Sequence, residues 1–198
     1  VFMVRQRDFK RMLAYSSIEQ MGILVLGIGI GGAAVYGALL QLINNGLTKG
    51  VLFLSAGNIH RAYGSKTTDN VKGAFQRLPI SSALFLAGFL AIIGSPPFGP
   101  FVSEFTIVNS AVDSGQFIVA GLFLLLLSII FIGMGSTVLA VVQGNAPEVK
   151  PAVAFRDSIG TTLPIFLFLA LVMLLGLYIP PPLESLLREA AALLEMKK

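Results

Sequence analysis

Five long apolar runs leave this chain few folds to choose from. They extend from Met12 to about Gly32, from Ala33 to about Asn58, from Ile80 to about Val112, from Phe117 to about Val142 and from about Ile159 to Ile179. A helix needs ~20 apolar residues to cross the hydrocarbon of a bilayer. Inside it, a helix pairs its own backbone groups, which lipid cannot do. Composition agrees: 55% of the 198 residues are hydrophobic, 12% are charged and the mean hydropathy is +0.84. A soluble domain carries about 25% charged residues. The expected fold is therefore all-α: a polytopic membrane bundle of about five spans, one of them discontinuous. Residues 1–182 form the membrane domain and 183–198 a short tail. That tail, LESLLREAAALLEMKK, spaces leucines at 183, 186, 187, 193 and 194 among charges, the pattern of an amphipathic interfacial helix. The triple proline 180–182 separates it from the last span.

The third run is broken by GSPPFGP at 94–100. Its halves, Ile80–Ile93 and Phe101–Val112, each cover only about 20 Å as helix. Adjacent prolines flanked by glycines cannot continue a helix. The economical reading is one span broken near mid-membrane, where irregular backbone is tolerated only against protein or a wet cavity. Two separate tilted spans are the alternative. The basic residues give the orientation. With five spans, Arg5, Arg7, Lys10, Arg11, Arg61, Lys66, Lys72, Arg77, Lys150 and Arg156 lie on one face, and Arg188, Lys197 and Lys198 on the other. The richer face, which holds the N-terminal end, is expected in the cytoplasm. With six spans the N-terminal end keeps the same side. The segments Arg61–Leu78 and Asn145–Asp157 read as cytoplasmic loops. The chain opens on Val1 and polar VRQRDFKR with no signal-peptide pattern, as expected for the C-terminal piece of a longer protein.

Several chemistries are excluded. With no cysteine, the chain builds no disulfide or iron–sulfur cluster of its own, and one histidine cannot make a multi-histidine zinc or haem site. No basic cluster interleaves with aromatics, so nucleic acid is not an expected partner. GIGIGG at 27–32 lies within a span and lacks the βαβ context of a dinucleotide fingerprint. Gly27, Gly29, Gly31 and Gly32 read instead as positions where helices pack closely. An intramembrane protease would need paired aspartates, a Ser/His pair or HExxH, and none of these arrangements stands out.

Two charges remain at bilayer depth, where an ionisable side chain is costly and marks function by default. Lys49 is the only charge between residues 33 and 58. The next polar loop is roughly 18 Å along the helix, beyond the reach of a snorkelling stem. Gln41, Asn45 and Lys49 recur at i, i+4 and i+8, with Thr48 beside them, so one polar stripe faces protein or water. Such an ammonium can release and take up a proton; the structural alternative is an ion pair with a neighbouring helix. Glu104 falls in the first turn after the break, where helix dipole and burial oppose each other and leave a carboxyl able to change protonation. Its structural alternative is a capping glutamate beside Ser103. Glu19 lies about 12 Å into the first span, shares a face with Tyr15, Ser16 and Gln20, and can reach Lys49. A polar contact between helices is its structural reading. His60 reads as interfacial, and Asp113 and Asp157 as loop or helix-start residues.

Three strings then carry a resemblance. RDFKRMLAYSSIEQMGIL at 7–24 resembles the stretch after a cytoplasmic loop in the antiporter-like subunits of respiratory complex I, membrane-bound nickel–iron hydrogenases and Mrp-type sodium/proton antiporters. NNGLTKGVLFLSAGNI at 44–59 looks like their next helix, and GSPPFGPFVSEF at 94–105 like their discontinuous one. AYSSIEQMG and GSPPFGPFVSEF look most like the hydrogenase-4 F-type subunit, of the formate hydrogenlyase branch. The resemblance covers roughly the last five helices of a fold made of two inverted repeats. It implies that Lys49 matches the buried lysine of many members, and Glu104 the lysine or glutamate of the broken helix. Where the family often has a histidine four residues before the lysine, this chain has Asn45, which cannot titrate.

The resulting expectation is a proton-translocating subunit of a redox-driven complex, in an inner or plasma membrane. Glu19, Lys49 and Glu104 transfer protons, and Gln41, Asn45 and Thr48 support them. No cofactor, metal or catalytic residue is expected in the chain itself, so redox chemistry falls to partner membrane subunits of a hydrogenase or dehydrogenase complex. A stand-alone or Mrp-type cation/proton antiporter, with sodium as coupling ion, is the alternative.

Overall fold

The computed structural model describes residues 6–144 and 155–196. Among them are eight helices: α1 Phe9–Ile30, α2 Ala33–Tyr63, α3 Ala74–Arg77, α4 Pro79–Ile92, α5 Gly99–Asp113, α6 Phe117–Val142, α7 Ile159–Leu177 and α8 Pro181–Glu195. No β-strand occurs among the described residues; a single bridge joins Asp8 to Thr67. Arg5, Lys150, Lys197 and Lys198, and most of the 145–157 loop, lie outside the described residues.

Local chemistry sets the helix ends. The Asp8 carboxylate accepts from the Lys10 and Arg11 backbone N–H groups, each at 3.0 Å, and caps α1. Gly31 and Gly32, at φ +84° and +57°, make the turn into α2, a backbone that L side chains resist. These two glycines are therefore turn residues. Of the four in the run, Gly27 is the one in close helix packing, against Ala34, Ala38 and Ile107. Prolines open α4, α5 and α8, where the missing N–H costs nothing. Hence α8 begins at Pro181, inside the triple proline rather than after it. The expected loop at Arg61–Leu78 is shorter, because α2 continues through Arg61 to Tyr63 and α3 lies within the rest.

Helices α1, α6 and α7 are long and apolar enough to cross a membrane by length and composition. The 31-residue α2 is not in that group, because it carries Gln41, Asn44, Asn45, Thr48, Ser55 and Asn58. All six are buried, because α1, α4, α5, α7 and α8 pack around this helix and shield its polar side chains. Helix α6 is the opposite case. It exposes Leu122, Leu124, Leu125, Leu126, Phe131 and Ile132, as a lipid-facing helix does.

The third run is one broken pass. Ser81 meets Asn58 at 3.0 Å, Gly88 lies under Val51 and Leu52, Ser103 meets Asn44 at 3.4 Å, and Ile107 packs on Gly37. Numbers rise along α4 and α5 as they fall along α2, so the two short helices run in the same direction, end to end. That excludes two separate crossings. The interruption, Ile93–Phe98, contains Gly94 at φ +69° and the cis Pro96–Pro97 bond. Behind it, Gly176 of α7 lets the backbone of Pro97 and Phe98 come into contact with the helix.

Candidate functional site

The site assembles on the centre of α2, beside the break. Glu104 is 5% exposed and is the sixth residue of α5, in its second turn. It was expected in the first turn; the helix starts at Gly99 because Pro100 fits the opening positions. Nothing caps α5 through a side chain, so the capping role for Glu104 does not hold. One carboxylate oxygen accepts from Gln41 Nε2 at 3.0 Å. The other lies against Gly94, where a Cβ would overlap it.

Gln41 is the hub. Its amide nitrogen has two hydrogens, and besides Glu104 it donates to Gln20 Oε1 at 2.5 Å. Its carbonyl oxygen accepts from Ser103 Oγ. Gln20 Nε2 in turn donates to the carbonyl of Ile92, the last residue of α4, at 3.3 Å, and Asn44 Nδ2 reaches Ser103 Oγ at 3.4 Å. Four helices thus meet in one buried polar cluster.

Lys49 sits roughly 12 Å further along α2. It is half-buried, and its ammonium donates to the Leu13 carbonyl at 2.7 Å and to Ser16 Oγ, with the Phe53 ring 5.8 Å away. It therefore turns toward protein. The expected pairing with Glu19 is no contact ion pair, since those among the described residues are Arg7–Asp69, Lys66–Asp8 and Arg188–Glu184, but the two opposite charges lie close enough to attract each other. Glu19 is half-buried and lines an otherwise apolar groove of about 520 Å³ between α1 and α6, with Ile23, Leu26, Phe123 and Leu127. Ser16 and Gln20, one turn apart on α1, join the Lys49 and Glu104 groups along one face.

The supporting stripe is also rearranged. Thr48 Oγ1 bonds back to the Asn44 carbonyl at 2.7 Å, within its own helix. Asn45 is buried, with its Oδ1 unpartnered. The sequence reading missed Gln20, Asn44, Ser103 and Ser16 as site members. Asn44 carried a signal, since Gln41, Asn44 and Thr48 follow i, i+3, i+7 on one face. His60 lies in the last turn of α2, and Asp113 closes α5 rather than starting a helix.

A family model described as NADH:quinone oxidoreductase/Mrp antiporter, transmembrane, matches residues 1–131. The chain belongs to this family. It is a multi-pass membrane protein, and Glu19, Lys49 and Glu104 all fall within the matched residues. A hydrogenase-4 component F homolog from Methylacidiphilum infernorum (isolate V4) is 33% identical over 192 residues, 96% of this chain and 39% of the relative. The chain is also similar to a subunit of respiratory complex I from Thermus thermophilus with bound NADH. That likeness has 26% identity and a TM-score of 0.78, over 98% of this chain and 41% of the other. The Mrp complex from Dietzia sp. DQ12-45-1b shares the fold with a TM-score of 0.85 at 20% identity, over 97% of this chain and 44% of the other. The chain thus spans less than half the length of each of these proteins.

Proposed function

We propose that this chain is the C-terminal part of a proton-translocating membrane subunit in a redox-driven complex of the hydrogenase or NADH dehydrogenase type. The observation that supports it most is the polar series on α1, α2 and α5: half-buried Lys49 with Ser16, then buried Gln20, Gln41 and Glu104 at the break. Protons hop through water between Glu19, Lys49 and Glu104, driven by charge changes passed on from neighbouring membrane subunits. The amides of Gln20 and Gln41 do not titrate; they hold Glu104 in orientation. Redox chemistry belongs to those partners.

The Asp8 end, richer in lysine and arginine, faces the cytoplasm of an inner or plasma membrane. Residues 1–182 form the membrane domain and the 183–198 tail an interfacial helix. In support, α8 exposes Leu186, Leu193 and Leu194 and stacks Arg188 on Tyr36, with 5.2 Å to the ring centroid.

The test uses the full-length protein in its assembled complex. Lys49→Ala and Glu104→Gln should each cut proton uptake by inverted vesicles strongly, with subunit content checked first and partner redox activity affected less directly. Normal uptake in well-assembled variants would make both residues structural. Uptake that depends on sodium would move the protein to the cation antiporter reading.

A further inference from the structure

The hydrogen bonds around Glu104 run in one direction, and a backbone carbonyl sets it. Ile92 ends α4, where a helix leaves its last carbonyls without a partner of its own. The Ile92 carbonyl can only accept, so Gln20 must turn its amide nitrogen to it, at 3.3 Å. That leaves Gln20 Oε1 facing Gln41. Two amide oxygens share no hydrogen, so Gln41 answers with Nε2, at 2.5 Å. The second hydrogen of this nitrogen goes to Glu104 Oε1, at 3.0 Å. Gln20 is a further amide donor toward the same carboxyl, and Glu19 acts on it through its charge. Position 104 therefore faces amide donors, and an ammonium there would meet N–H groups.

The two carboxyl oxygens are thereby unequal. Oε1 accepts from Gln41, and in a protonated carboxyl the carbonyl oxygen is a better acceptor than the hydroxyl one. Oε2 lies on the other side, against Gly94. A Cβ on residue 94 would overlap it. Apart from Gly94 and its chain neighbours, the three atoms nearest that Cβ position are Oε2, Cδ and Oε1 of Glu104, the last at 3.8 Å. The flank of Oε2 is thus open by the width of a missing side chain. A φ of +69° favours glycine at the same residue.

The structure assigns Oε2 as the oxygen of Glu104 that carries the proton, and Gly94 as the residue that keeps this oxygen open. The assignment rests on the proton-translocating reading above. It adds to that reading the atom that is protonated and the side from which the proton arrives. A proton delivered by water forms its O–H bond at Oε2. The C=O double bond then lies at Oε1, which still accepts from Gln41. Release reverses the step, and neither amide has to turn.

The experiment records infrared difference spectra of the purified full-length complex between acid and alkaline buffer. A buried carboxyl that gains a proton gives a C=O stretching band, and a hydrogen bond to the carbonyl oxygen lowers its frequency. Glu104→Gln should remove one such band. Gln41→Leu should move that band to higher frequency, because the C=O at Oε1 loses its donor. Gln41→Met lacks the donor too and takes its place if Gln41→Leu does not assemble. Gly94→Ala in an assembled complex should abolish the band, because its Cβ closes off Oε2. A Glu104 band that stays in place without the Gln41 donor would put the proton on Oε1. That result overturns the assignment and leaves proton translocation standing. A full-strength band in Gly94→Ala would overturn the role of Gly94. If Glu104→Gln removes no band, both the assignment and the place of Glu104 in the reading above fall.

Discussion

Gln41 Nε2 donates to Glu104 Oε1 across 3.0 Å, and this bond ties the middle of the longest helix to the second half of the broken one. The same nitrogen donates to Gln20, so α1 is fixed to the pair as well. The carboxylate is held by an amide that cannot take its proton. Orientation and titration are thereby assigned to different residues.

Glu104→Asp should retain more proton pumping than Glu104→Gln. Aspartate keeps a carboxyl that can change protonation, although one methylene less draws it back from Gln41. Glutamine keeps the shape and loses the proton. Equal losses in vesicle uptake by the two variants would show that reach, not protonation, is what the position supplies.

Gln41→Leu removes the hub while filling the space. Gln20 Oε1 and Glu104 Oε1 lose a donor and Ser103 Oγ loses an acceptor. A buried polar group left unsatisfied costs about 1–3 kcal/mol. The thermal midpoint of the purified full-length protein should fall clearly, and farther than for Thr48→Val, because the Thr48 hydroxyl serves only its own helix.

Gly176→Ala should be among the most damaging glycine substitutions. Its Cβ would overlap the Pro97 carbonyl and the Phe98 backbone, and backbone in a tight break cannot step aside. Overpacking of this kind costs about 1–3 kcal/mol or more. Gly29→Ala, with nothing within 4 Å of its Cβ, should be neutral or slightly stabilising. Assembly and thermal stability of the two variants, compared side by side, check this.

Asp8 gives a pH signature outside the membrane. Burial pushes its carboxyl up, but the Arg11 N–H, the Lys66 ammonium at 3.3 Å and the Lys10 N–H outweigh that, so its pKa lies below the ordinary 3.8. A folded-state pKa below the unfolded one stabilises fully above 3.8, and the contribution is lost as pH falls through the folded value. The stability difference between wild type and Asp8→Asn should therefore be constant near neutrality and shrink in acid. A difference that grows on acidification would contradict the ion pair and cap.

The sequence by itself determined the all-helical membrane class and a break at the paired prolines, while the shared direction of α4 and α5 decided that the broken run is one pass. The class and the break follow from run length, composition and backbone stereochemistry, which are local properties. Periodicity also marked α2 as a helix with a protein-facing stripe. It could not name partners, because a repeat of 3.6 residues gives a face but not the neighbour packed on it. Only the tertiary structure decided that Lys49 bonds Ser16 and Leu13 rather than Glu19, and that Glu104 answers to Gln41. It alone separated Gly31 and Gly32 as turn residues from Gly27 as a packing one. Each of these depends on which helices lie side by side and in what register, and that is set by contacts between residues dozens of positions apart in the chain.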